Sequence, residues 1–428
     1  MTITELDGKH VCILGFGREG RATLEALRQY APHARITIAD INSGIRPVSG
    51  AGLITGPDYL ERLGDFDVII KTPGLPWRPP DALAARLTSA TELFLNSLPQ
   101  AVTVIGVTGT KGKSTTAHLI HTALTAGGKR SILAGNIGEP MLTHLSDATP
   151  GTIFVLELSS YQLETLRISP PIAVITSIFP DHLDYHGSFE AYVAAKRHIT
   201  EFQTAADTVF YNGASEDCRR LALASPGRKV PFNPADFPGR PAPAFDSPAG
   251  RSDLAAALLV AQGLGVPKAT ALRALSSASG LPHRQQDLGS RGGIRWIDDS
   301  AATTPQSTLA ALKRFEGRID TIILGGLDRG YNFSELGARL SNSTIRNLIL
   351  FPDTGAKIRA AVEAVQPEIP KICFETSDMA AAVQFARDHT GAGRICLLSS
   401  GAPSYNLFKN YGERGDAFQA AVHRPPEA

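Results

Sequence analysis

The chain has 428 residues, of which 43% are hydrophobic and 19% are charged. A chain of this length exceeds what one hydrophobic core usually organises, so we expect two or three domains. The formal net charge of +1 provides no general field that would attract nucleic acid or an anionic membrane. Nucleic acid is therefore not an expected partner, and any recognition of an anion must be local.

Cysteine usage and hydropathy indicate a reducing, aqueous compartment. The four cysteines have no Cys-x-x-Cys spacing, which argues against a zinc site. No apolar segment reaches the length of about 18 residues that a membrane span needs. The N-terminus also lacks a basic region followed by an apolar stretch. We expect a soluble, cytoplasmic monomer that does not insert into a membrane.

Residues 10–40 show the pattern of a nucleotide-binding unit. A strand, a glycine-rich turn, a helix and a second strand are predicted at 10–14, 15–20, 21–30 and 35–40. Asp40 ends the second strand, where a dinucleotide-binding fold places an acid against a ribose or a base edge. The unit stops early, after a strand at 66–70, and such a half-sized fold holds one nucleotide more readily than two. The alternative is a glycine-rich turn that binds nothing.

Residues 106–116 have the pattern of a phosphate-binding loop between an apolar strand and a helix. The spacing is Gly106-x-x-Gly109-x-x-Gly112-Lys113-Ser114. Small residues let successive N–H groups converge on an anion, the start of the helix adds partial positive charge, and Lys113 adds a full one. Ser114 would hold Mg²⁺ through its hydroxyl. The alternative is a glycine-rich turn from strand to helix with a surface lysine.

Two later strands carry polar residues at their C-terminal ends. The strand at 153–158 contains Glu157, and the strand at 172–178 is followed by Asp181, His182, Asp184 and His186. Ligands bind at this edge of open parallel sheets, and acids with imidazoles near a phosphate loop suit Mg²⁺ and an anionic substrate. Each of these residues could instead cap a helix or lie on the surface. From its spacing on an amphipathic helix, Lys196 is expected to be a solvated lysine.

The remaining segments complete an α/β fold of three doubly wound domains, predicted at 1–98, 99–285 and 286–428. A Pro- and Gly-rich stretch at 231–250 is expected to be surface loop before a helix at 253–263. The last domain has predicted strands at 294–297, 320–324, 347–351 and 394–398 and helices at 305–314, 354–364 and 377–388. Its loops at 298–305, 325–330 and 399–404 follow strands and should cluster on one edge.

Eight motifs, taken together, resemble those of the Mur ligases. They are Gly109-Thr-Lys-Gly-Lys-Ser-Thr115, Gly135-Asn-Ile-Gly138, Glu157-Leu-Ser-Ser-Tyr-Gln-Leu163, Asp181-His-Leu-Asp184, Gly280-Leu-Pro-His-Arg284, Asp298-Asp-Ser300, Gly325-Gly-Leu-Asp328 and Leu398-Ser-Ser-Gly-Ala-Pro-Ser404. The resemblance covers all three domains in order. It implies an N-terminal Rossmann-like domain for the UDP of the substrate, a central P-loop domain for ATP and a C-terminal Rossmann-like domain for an amino acid. The implied enzyme is an ATP-dependent amide-bond-forming ligase of peptidoglycan precursor synthesis.

The resemblance also assigns roles to individual residues. The positions implied for the UDP-linked substrate are Gly15, Gly17, Asp40, Thr72, Gly74 and Asn136. Those implied for ATP are Gly109, Thr110, Lys111, Gly112, Lys113, Ser114, Thr115, Asp253, Arg284 and Asp299. Those implied for Mg²⁺ are Ser114, Glu157, His182 and Lys196, and the implied catalytic residues are Lys113, His182 and a carbamylated Lys196. Thr303, Arg329, Ser404 and Tyr411 match positions for an incoming glutamate.

The implied substrates are UDP-N-acetylmuramoyl-L-alanine and glutamate, with D-glutamate as the expected enantiomer and L-glutamate as the alternative. The alternative arises because Thr303-Thr-Pro305 and Gly401-Ala-Pro-Ser404 resemble a branch of the family that adds L-glutamate. Arg329 and Ala301, in the same implied pocket, also replace the usual lysines. The family's usual His-Asn-x-x-Asn, which contacts adenine, is here Ala249-Gly-Arg-Ser-Asp253.

Two other functions compete with this interpretation. An NAD-binding redox or regulatory protein would need the second half of a dinucleotide fold, whereas a phosphate loop follows here instead. A folylpolyglutamate-synthase-like ligase would begin almost directly at the phosphate loop. The nucleotide-type fold that precedes Lys113 argues against it.

Overall fold

The computed structural model describes residues 1–365 and 370–425, and its strands form three separate sheets. Contacts group the chain into two compact units, Met1–Ser279 and Gly280–Ala428. The first unit contains two of the sheets and the second contains the third. The predicted division into three domains, at 1–98, 99–285 and 286–428, stays a prediction. Within the described ranges, no helix is both long and apolar enough to span a membrane.

The first sheet is parallel and has the strand order β3-β2-β1-β4-β5. Its strands are β1 (His10–Leu14), β2 (Arg35–Asp40), β3 (Ala51–Thr55), β4 (Val68–Lys71) and β5 (Leu87–Thr88). The accompanying helices are α1 (Arg18–Tyr30), α2 (Asp81–Ala84) and α3 (Ala90–Ser97). Four consecutive residues of β1 are buried, because both faces of a parallel sheet are covered. The predicted strand, turn, helix and strand are present, although α1 begins within the predicted turn.

The second sheet is also parallel, with the order β11-β10-β9-β6-β8-β7. Its strands are β6 (Thr103–Thr108), β7 (Ser131–Gly135), β8 (Ile153–Glu157), β9 (Ile172–Ile175), β10 (Thr208–Asn212) and β11 (Arg228–Phe232). Its helices are α4 (Lys113–Ala126), α5 (Ser160–Leu163), α6 (Leu183–His186), α7 (Phe189–Glu201), α8 (Glu216–Leu223), α9 (Pro248–Gly263) and α10 (Lys268–Ser276). Strand order reverses at β6, so a crevice for ligands is expected beyond its carboxyl end.

The expectation that 231–250 is entirely surface loop was wrong. It includes the end of β11, two short 3-10 turns and the first residues of α9. The helix starts at Pro248 because the Ser247 hydroxyl accepts the N–H of Gly250 and proline suits the first helical position. The remaining 3-10 turns of the first unit are Thr4–Leu6, Leu63–Asp65 and Met141–Asp147.

The third sheet is mixed and has the order β12-β13-β17-β14-β15-β16. Its strands are β12 (Gln286–Arg291), β13 (Ile294–Asp298), β14 (Ile319–Gly325), β15 (Asn347–Phe351), β16 (Ile372–Glu375) and β17 (Ile395–Leu398). Its helices are α11 (Pro305–Arg314), α12 (Ser334–Ser341), α13 (Gly355–Glu363), α14 (Met379–His389) and α15 (Tyr411–His423). The predicted α/β class with doubly wound sheets is confirmed.

The two edge strands of the third sheet were not predicted. β12 is mostly polar and exposed, and β16 has only four residues, so neither has a strong apolar pattern. β12 pairs antiparallel with β13 through Gly292 and Gly293, which both have positive φ. Two consecutive residues of this kind are the signal of a tight hairpin. The Gly-Gly pair in the sequence could therefore have revealed β12.

Candidate functional site

The loop between β6 and α4 bends where the sequence predicts a phosphate loop. Gly109 and Gly112 have φ values of +153° and +86°. A Cβ at Gly109 would collide with the Thr176 hydroxyl, and a Cβ at Gly112 would lie 2.7 Å from Asp253 Oδ1. Lys113 begins α4 directly after this bend. N–H groups in the first turn of an α-helix are not used within the helix, so those of Ser114 and Thr115 are suited to bind an anion.

The segment that follows β9 holds this loop in place. The Thr110 N–H donates to the Ser177 carbonyl at 2.6 Å, and the Lys111 N–H donates to the Ser177 hydroxyl at 2.9 Å. The Thr176 hydroxyl donates to the Lys111 carbonyl at 2.6 Å. β9 ends at Ile175 rather than at the predicted residue 178 because these residues turn to bind the loop. The loop is therefore preorganised before any ligand arrives.

Glu157 ends β8, whose register places it beside Val107 of β6. It is 1% exposed, and its Oε1 accepts a hydrogen bond of 2.7 Å from the Asn136 amide. The other carboxylate oxygen, Oε2, is buried and has no hydrogen-bond partner among the residues that the structure describes. A buried carboxylate oxygen without a donor costs free energy unless a cation neutralises it. Glu157 therefore fits a role as a ligand of a divalent cation.

Lys196 is buried in α7, so the expectation of a solvated lysine was wrong. Its Nζ donates to the Gly109 carbonyl at 2.9 Å and to the Thr108 hydroxyl at 3.3 Å. It also lies 4.8 Å from the centre of the Tyr192 ring. Burial, followed by the nearby charge of Lys113, holds the pKa of Lys196 well below its ordinary value. The uncharged amine that this favours is the form that reacts with carbon dioxide.

His182 and His186 have different environments although both follow β9. His182 caps α6 with a positive φ of 53°, and its side chain is 46% exposed. His186 is buried, and its Nε2 lies 3.0 Å from the Ser160 hydroxyl. His186 is thus a satisfied core residue, whereas His182 is accessible to a ligand. Asp184 lies in the first turn of α6 and is exposed.

The described residues contain no cluster of three or more His, Cys, Asp or Glu side chains that could hold a metal alone. The predicted metal set supplies one carboxylate, one imidazole, one hydroxyl and one lysine. Mg²⁺ is usually bound through one or two carboxylates together with substrate phosphates and water. A site that is completed by the nucleotide is consistent with this donor set.

The glycine-rich turn after β1 packs against the end of β4. A Cβ at Gly15, where φ is +94°, would collide with the Thr72 hydroxyl, which donates to the Leu14 carbonyl at 2.9 Å. Gly17 and Gly74 have open space around them, so a ligand can approach their backbone. This packing fixes the turn and leaves its outer side accessible.

Asp40 holds the same turn through backbone contacts. Its Oδ2 accepts the Phe16 N–H at 2.6 Å, and its Oδ1 accepts the Asn42 N–H at 2.8 Å. Both carboxylate oxygens are thus engaged with the protein. The structure places Asp40 at the predicted position, where it orders the turn and the loop after β2.

A cavity of about 550 Å³ lies beside this turn, and the sequence did not reveal it. Three arginines line it, namely Arg21, Arg28 and Arg46. The Arg21 guanidinium lies 4.7 Å from the centre of the Phe16 ring, and Arg28 pairs with Glu25 at 2.7 Å. The residues that line this cavity include no acid. It is therefore suited to an anionic ligand of nucleotide size.

Of the remaining predicted ATP residues, Asp253 is partly buried, Asp299 is buried and Arg284 is exposed. Asp253 accepts a hydrogen bond of 2.9 Å from the Thr116 hydroxyl of α4, and burial raises its pKa to about 7. In the second unit, Asp299 accepts from the Ser399 hydroxyl at 2.8 Å, and burial raises its pKa to about 7 as well.

Three loops of the second unit meet at the carboxyl edge of the third sheet, as predicted. The Gly401 N–H donates to the Ala302 carbonyl at 3.0 Å, and the Leu327 N–H donates to the Pro403 carbonyl at 2.7 Å. Arg414 of α15 is 2% exposed and joins two of the loops. It donates to the Ser300 carbonyl at 2.8 Å and to the Ala402 carbonyl at 3.1 Å. No local sequence signal distinguishes Arg414 from a surface arginine.

The predicted amino-acid residues lie on or beside these loops. Ser404 is buried, and in the described part of the chain its hydroxyl has no hydrogen-bond partner. Arg329 is exposed, and its guanidinium lies 5.7 Å from the centre of the Tyr405 ring. Tyr405 was not among the residues predicted from the sequence. Thr303 is partly buried, and Tyr411 begins α15 with its carbonyl accepting the Ser300 hydroxyl at 2.7 Å. A hydroxyl and a guanidinium can each donate a hydrogen bond to a carboxylate.

Several curated relatives match the chain over nearly its whole length. A Salinispora tropica protein named UDP-N-acetylmuramoyl-L-alanine--L-glutamate ligase is 34% identical, covering 99% of this chain and 99% of its own. A Xanthomonas campestris pv. campestris protein of the same name is 33% identical, covering 100% of this chain and 98% of its own. A Streptococcus agalactiae protein named UDP-N-acetylmuramoylalanine--D-glutamate ligase is 32% identical, covering 97% of both chains.

Solved structures share the fold at low identity. The MurF ligase from Thermotoga maritima, determined in complex with ADP, is 17% identical with a TM-score of 0.54, covering 98% of this chain and 96% of its own. A bifunctional folylpolyglutamate synthase/dihydrofolate synthase from Yersinia pestis has the same identity and TM-score but covers only 78% of this chain and 92% of its own.

Family models match two parts of the chain. The Mur ligase middle domain matches residues 107–234, which include the phosphate loop, Glu157, His182 and Lys196. The Mur ligase, glutamate ligase domain matches residues 283–401, which include most of the loop cluster of the second unit. The chain therefore belongs to the Mur ligases, a family of ATP-dependent enzymes that form amide bonds.

Proposed function

We propose that the protein joins glutamate to UDP-N-acetylmuramoyl-L-alanine with ATP and Mg²⁺, in the cytoplasm, as a step of peptidoglycan precursor synthesis. The observation that carries this proposal is the Glu157 carboxylate oxygen that lacks a partner within residues 1–365 and 370–425, in the strand beside β6, which leads into the phosphate loop. The names of the relatives support the substrate pair.

The reaction overcomes the low reactivity of a carboxylate toward an amine. The γ-phosphoryl group of ATP is transferred to an oxygen of the L-alanine carboxylate, and ADP leaves. The glutamate amine then attacks the carbonyl carbon of the acyl phosphate, loses a proton and expels phosphate as the C–O bond breaks. Catalysis of this kind depends mostly on positioning and on neutralising charge.

The first unit offers groups for both tasks. The N–H groups at the start of α4 would hold the phosphates, and the Lys113 side chain would neutralise charge on the transferred group. Bound Mg²⁺ would screen the repulsion between the carboxylate and the triphosphate. Ser114, Glu157, His182 and a carbamylated Lys196 would hold it. Asp253, Arg284 and Asp299 remain proposed contacts of ATP.

The UDP end of the substrate would bind at the glycine-rich turn of the first sheet. Gly15, Gly17, Thr72 and Gly74 would contact it there, Gly17 and Gly74 through their open backbone, and Asp40 orders the turn. The arginine-lined cavity beside the turn has the charge and size for part of a nucleotide. Asn136 would contact the muramoyl end while its amide holds Glu157.

Glutamate would bind in the second unit through Thr303, Arg329, Ser404 and Tyr411. Of its two enantiomers, we favour L-glutamate, because the Salinispora and Xanthomonas relatives are named for it. D-glutamate, the enantiomer expected from the sequence, is the second candidate and is supported by the Streptococcus relative.

One assay tests both the reaction and the enantiomer. The protein is incubated with UDP-N-acetylmuramoyl-L-alanine, ATP, Mg²⁺ and either glutamate enantiomer, and the product is identified by mass. We expect a dipeptide product with one enantiomer strongly preferred. The Lys113→Ala variant should lose roughly 100- to 1,000-fold in phosphate release while it still binds the UDP-linked substrate. Turnover with neither enantiomer would refute the proposed reaction.

A further inference from the structure

The hydroxyl of Tyr185, in α6, joins three segments of the first unit. It lies 3.1 Å from the Nζ of Lys71, 2.9 Å from Glu164 Oε2 and 3.2 Å from the Leu75 carbonyl oxygen. Lys71 ends β4, Leu75 lies in the loop that follows it, and Glu164 directly follows α5. None of these residues has a role in the reaction as described above.

The hydrogen-bond directions follow from the chemistry of the groups. Burial, and then the hydrogen bond with Glu164, raises the pKa of Tyr185, so its hydroxyl stays protonated near neutral pH. The Lys71 ammonium can only donate, so the Tyr185 oxygen accepts from it and donates its own proton to Glu164 or to the Leu75 carbonyl. Lys71 Nζ and Glu164 Oε2 are 3.8 Å apart. The hydroxyl therefore bridges a buried cation and a carboxylate, where each hydrogen bond strengthens the next.

The three joined segments carry residues that serve different substrates in the proposed reaction. Thr72 and Gly74, proposed to bind the UDP-linked substrate, lie between Lys71 and Leu75. His182, proposed to bind the metal, caps the helix that contains Tyr185. Glu164 directly follows α5, and α5 comes soon after Glu157, the last residue of β8, which is also proposed to bind the metal. A displacement of the loop after β4 would therefore strain the hydrogen bonds that hold α6.

We propose that Tyr185 is a positioning residue that couples binding of the UDP-linked substrate to binding of Mg²⁺–ATP through its hydroxyl. This inference rests on the proposed function. Such coupling is reciprocal, so either ligand should tighten binding of the other by the same factor.

The test measures the coupling without turnover. The dissociation constant of UDP-N-acetylmuramoyl-L-alanine is determined by calorimetry, with and without saturating Mg²⁺ and a non-hydrolysable ATP analogue. We expect the unmodified protein to bind about fivefold or more tightly with the analogue present. Tyr185→Phe removes only the hydroxyl and should reduce this factor to below about twofold. Lys71→Met, which removes the donor to that hydroxyl, should reduce it as well.

Tyr161→Phe is the matched control. The Tyr161 ring packs 4.6 Å from that of Tyr185, and within the described part of the chain its hydroxyl makes no hydrogen bond. This variant should retain the coupling. Equal coupling in Tyr185→Phe and the unmodified protein, or no coupling in the unmodified protein, would overturn the inference and leave the proposed function intact. Failure of the unmodified protein to bind UDP-N-acetylmuramoyl-L-alanine would overturn both.

Discussion

The Nζ of Lys196 lies 2.9 Å from the carbonyl oxygen of Gly109, the residue at which the chain leaves β6 for the phosphate loop. A lysine in this position brings an amine, rather than a carboxylate, to the place where the triphosphate is proposed to bind. Carbamylation would turn the amine into an anion that can share a divalent cation with Glu157. The low pKa of Lys196 favours the reactive, uncharged amine.

Replacing Lys196 tests this modification. Lys196→Ala should reduce ligation by about 100-fold or more, since the variant lacks a proposed metal ligand. Short carboxylates such as acetate should restore part of the activity, because the alanine leaves space for them near the metal. Steady-state rates with increasing acetate check this expectation. Arg197→Ala, which removes the exposed neighbour paired with Glu201, is the control and should keep full activity.

The phosphate loop was predictable from sequence, whereas the environment of Lys196 was not. Glycine spacing encodes backbone geometry directly, so Gly109 and Gly112 could be assigned before the structure was known. Burial of Lys196 depends on which face of α7 meets β6, and a short amphipathic pattern does not determine that. The arginine-lined cavity was missed for a similar reason, since Arg21 of α1 and Arg46 of the loop after β2 line one cavity only in the folded chain. Edge strand β16 was missed because an edge position needs little apolar surface.

Gly109 should not tolerate a side chain. In Gly109→Ala, the new methyl group would collide with the Thr176 hydroxyl and lie 2.9 Å from the Ser177 nitrogen, so the loop would be displaced. We expect the affinity for ATP to fall at least about tenfold, which corresponds to a loss of roughly 1.4 kcal/mol. Equilibrium binding of a fluorescent ATP analogue measures this change. Gly64→Ala is the matched control, because Gly64 has a negative φ and open space around it. Equal affinities in the two variants would contradict the loop geometry.

Asp253 should make stability depend on pH. Its folded pKa of about 7 lies above the unfolded value of about 3.9, so the folded protein binds the proton more tightly. The cost of burying the charged carboxylate is absent below the unfolded pKa, grows as the pH rises between the two values and is complete above the folded pKa.

Asp253→Asn removes this cost and keeps an oxygen that can accept from Thr116. The variant should therefore gain more stability at pH 8 than at pH 5, by about 1–3 kcal/mol. Thermal unfolding of the variant and the unmodified protein at both pH values provides the comparison. Asp58→Asn, at an exposed position, is the control for the loss of one carboxylate. A gain that is the same at both pH values would show that the Asp253 carboxyl does not titrate in this range.

Arg329 should determine the affinity for glutamate. Its guanidinium lies over the Tyr405 ring, which limits the orientations of the side chain, and a planar fork can hold a carboxylate through two hydrogen bonds. Losing one charge-assisted interaction of this kind costs about 1.5–3 kcal/mol, so Arg329→Ala should raise the KM for glutamate by roughly 10- to 100-fold. The KM values for ATP and for UDP-N-acetylmuramoyl-L-alanine should remain unchanged.

Arg329→Lys keeps the charge but loses the planar fork of the guanidinium, so it should raise the KM for glutamate less than Arg329→Ala does and narrow the preference between the enantiomers. Arg359→Ala, which removes an exposed arginine paired with Glu363 and Glu375, is the control for a charge change in the same unit. If Arg329→Ala left the KM for glutamate as low as Arg359→Ala does, the amino-acid site would have to lie elsewhere.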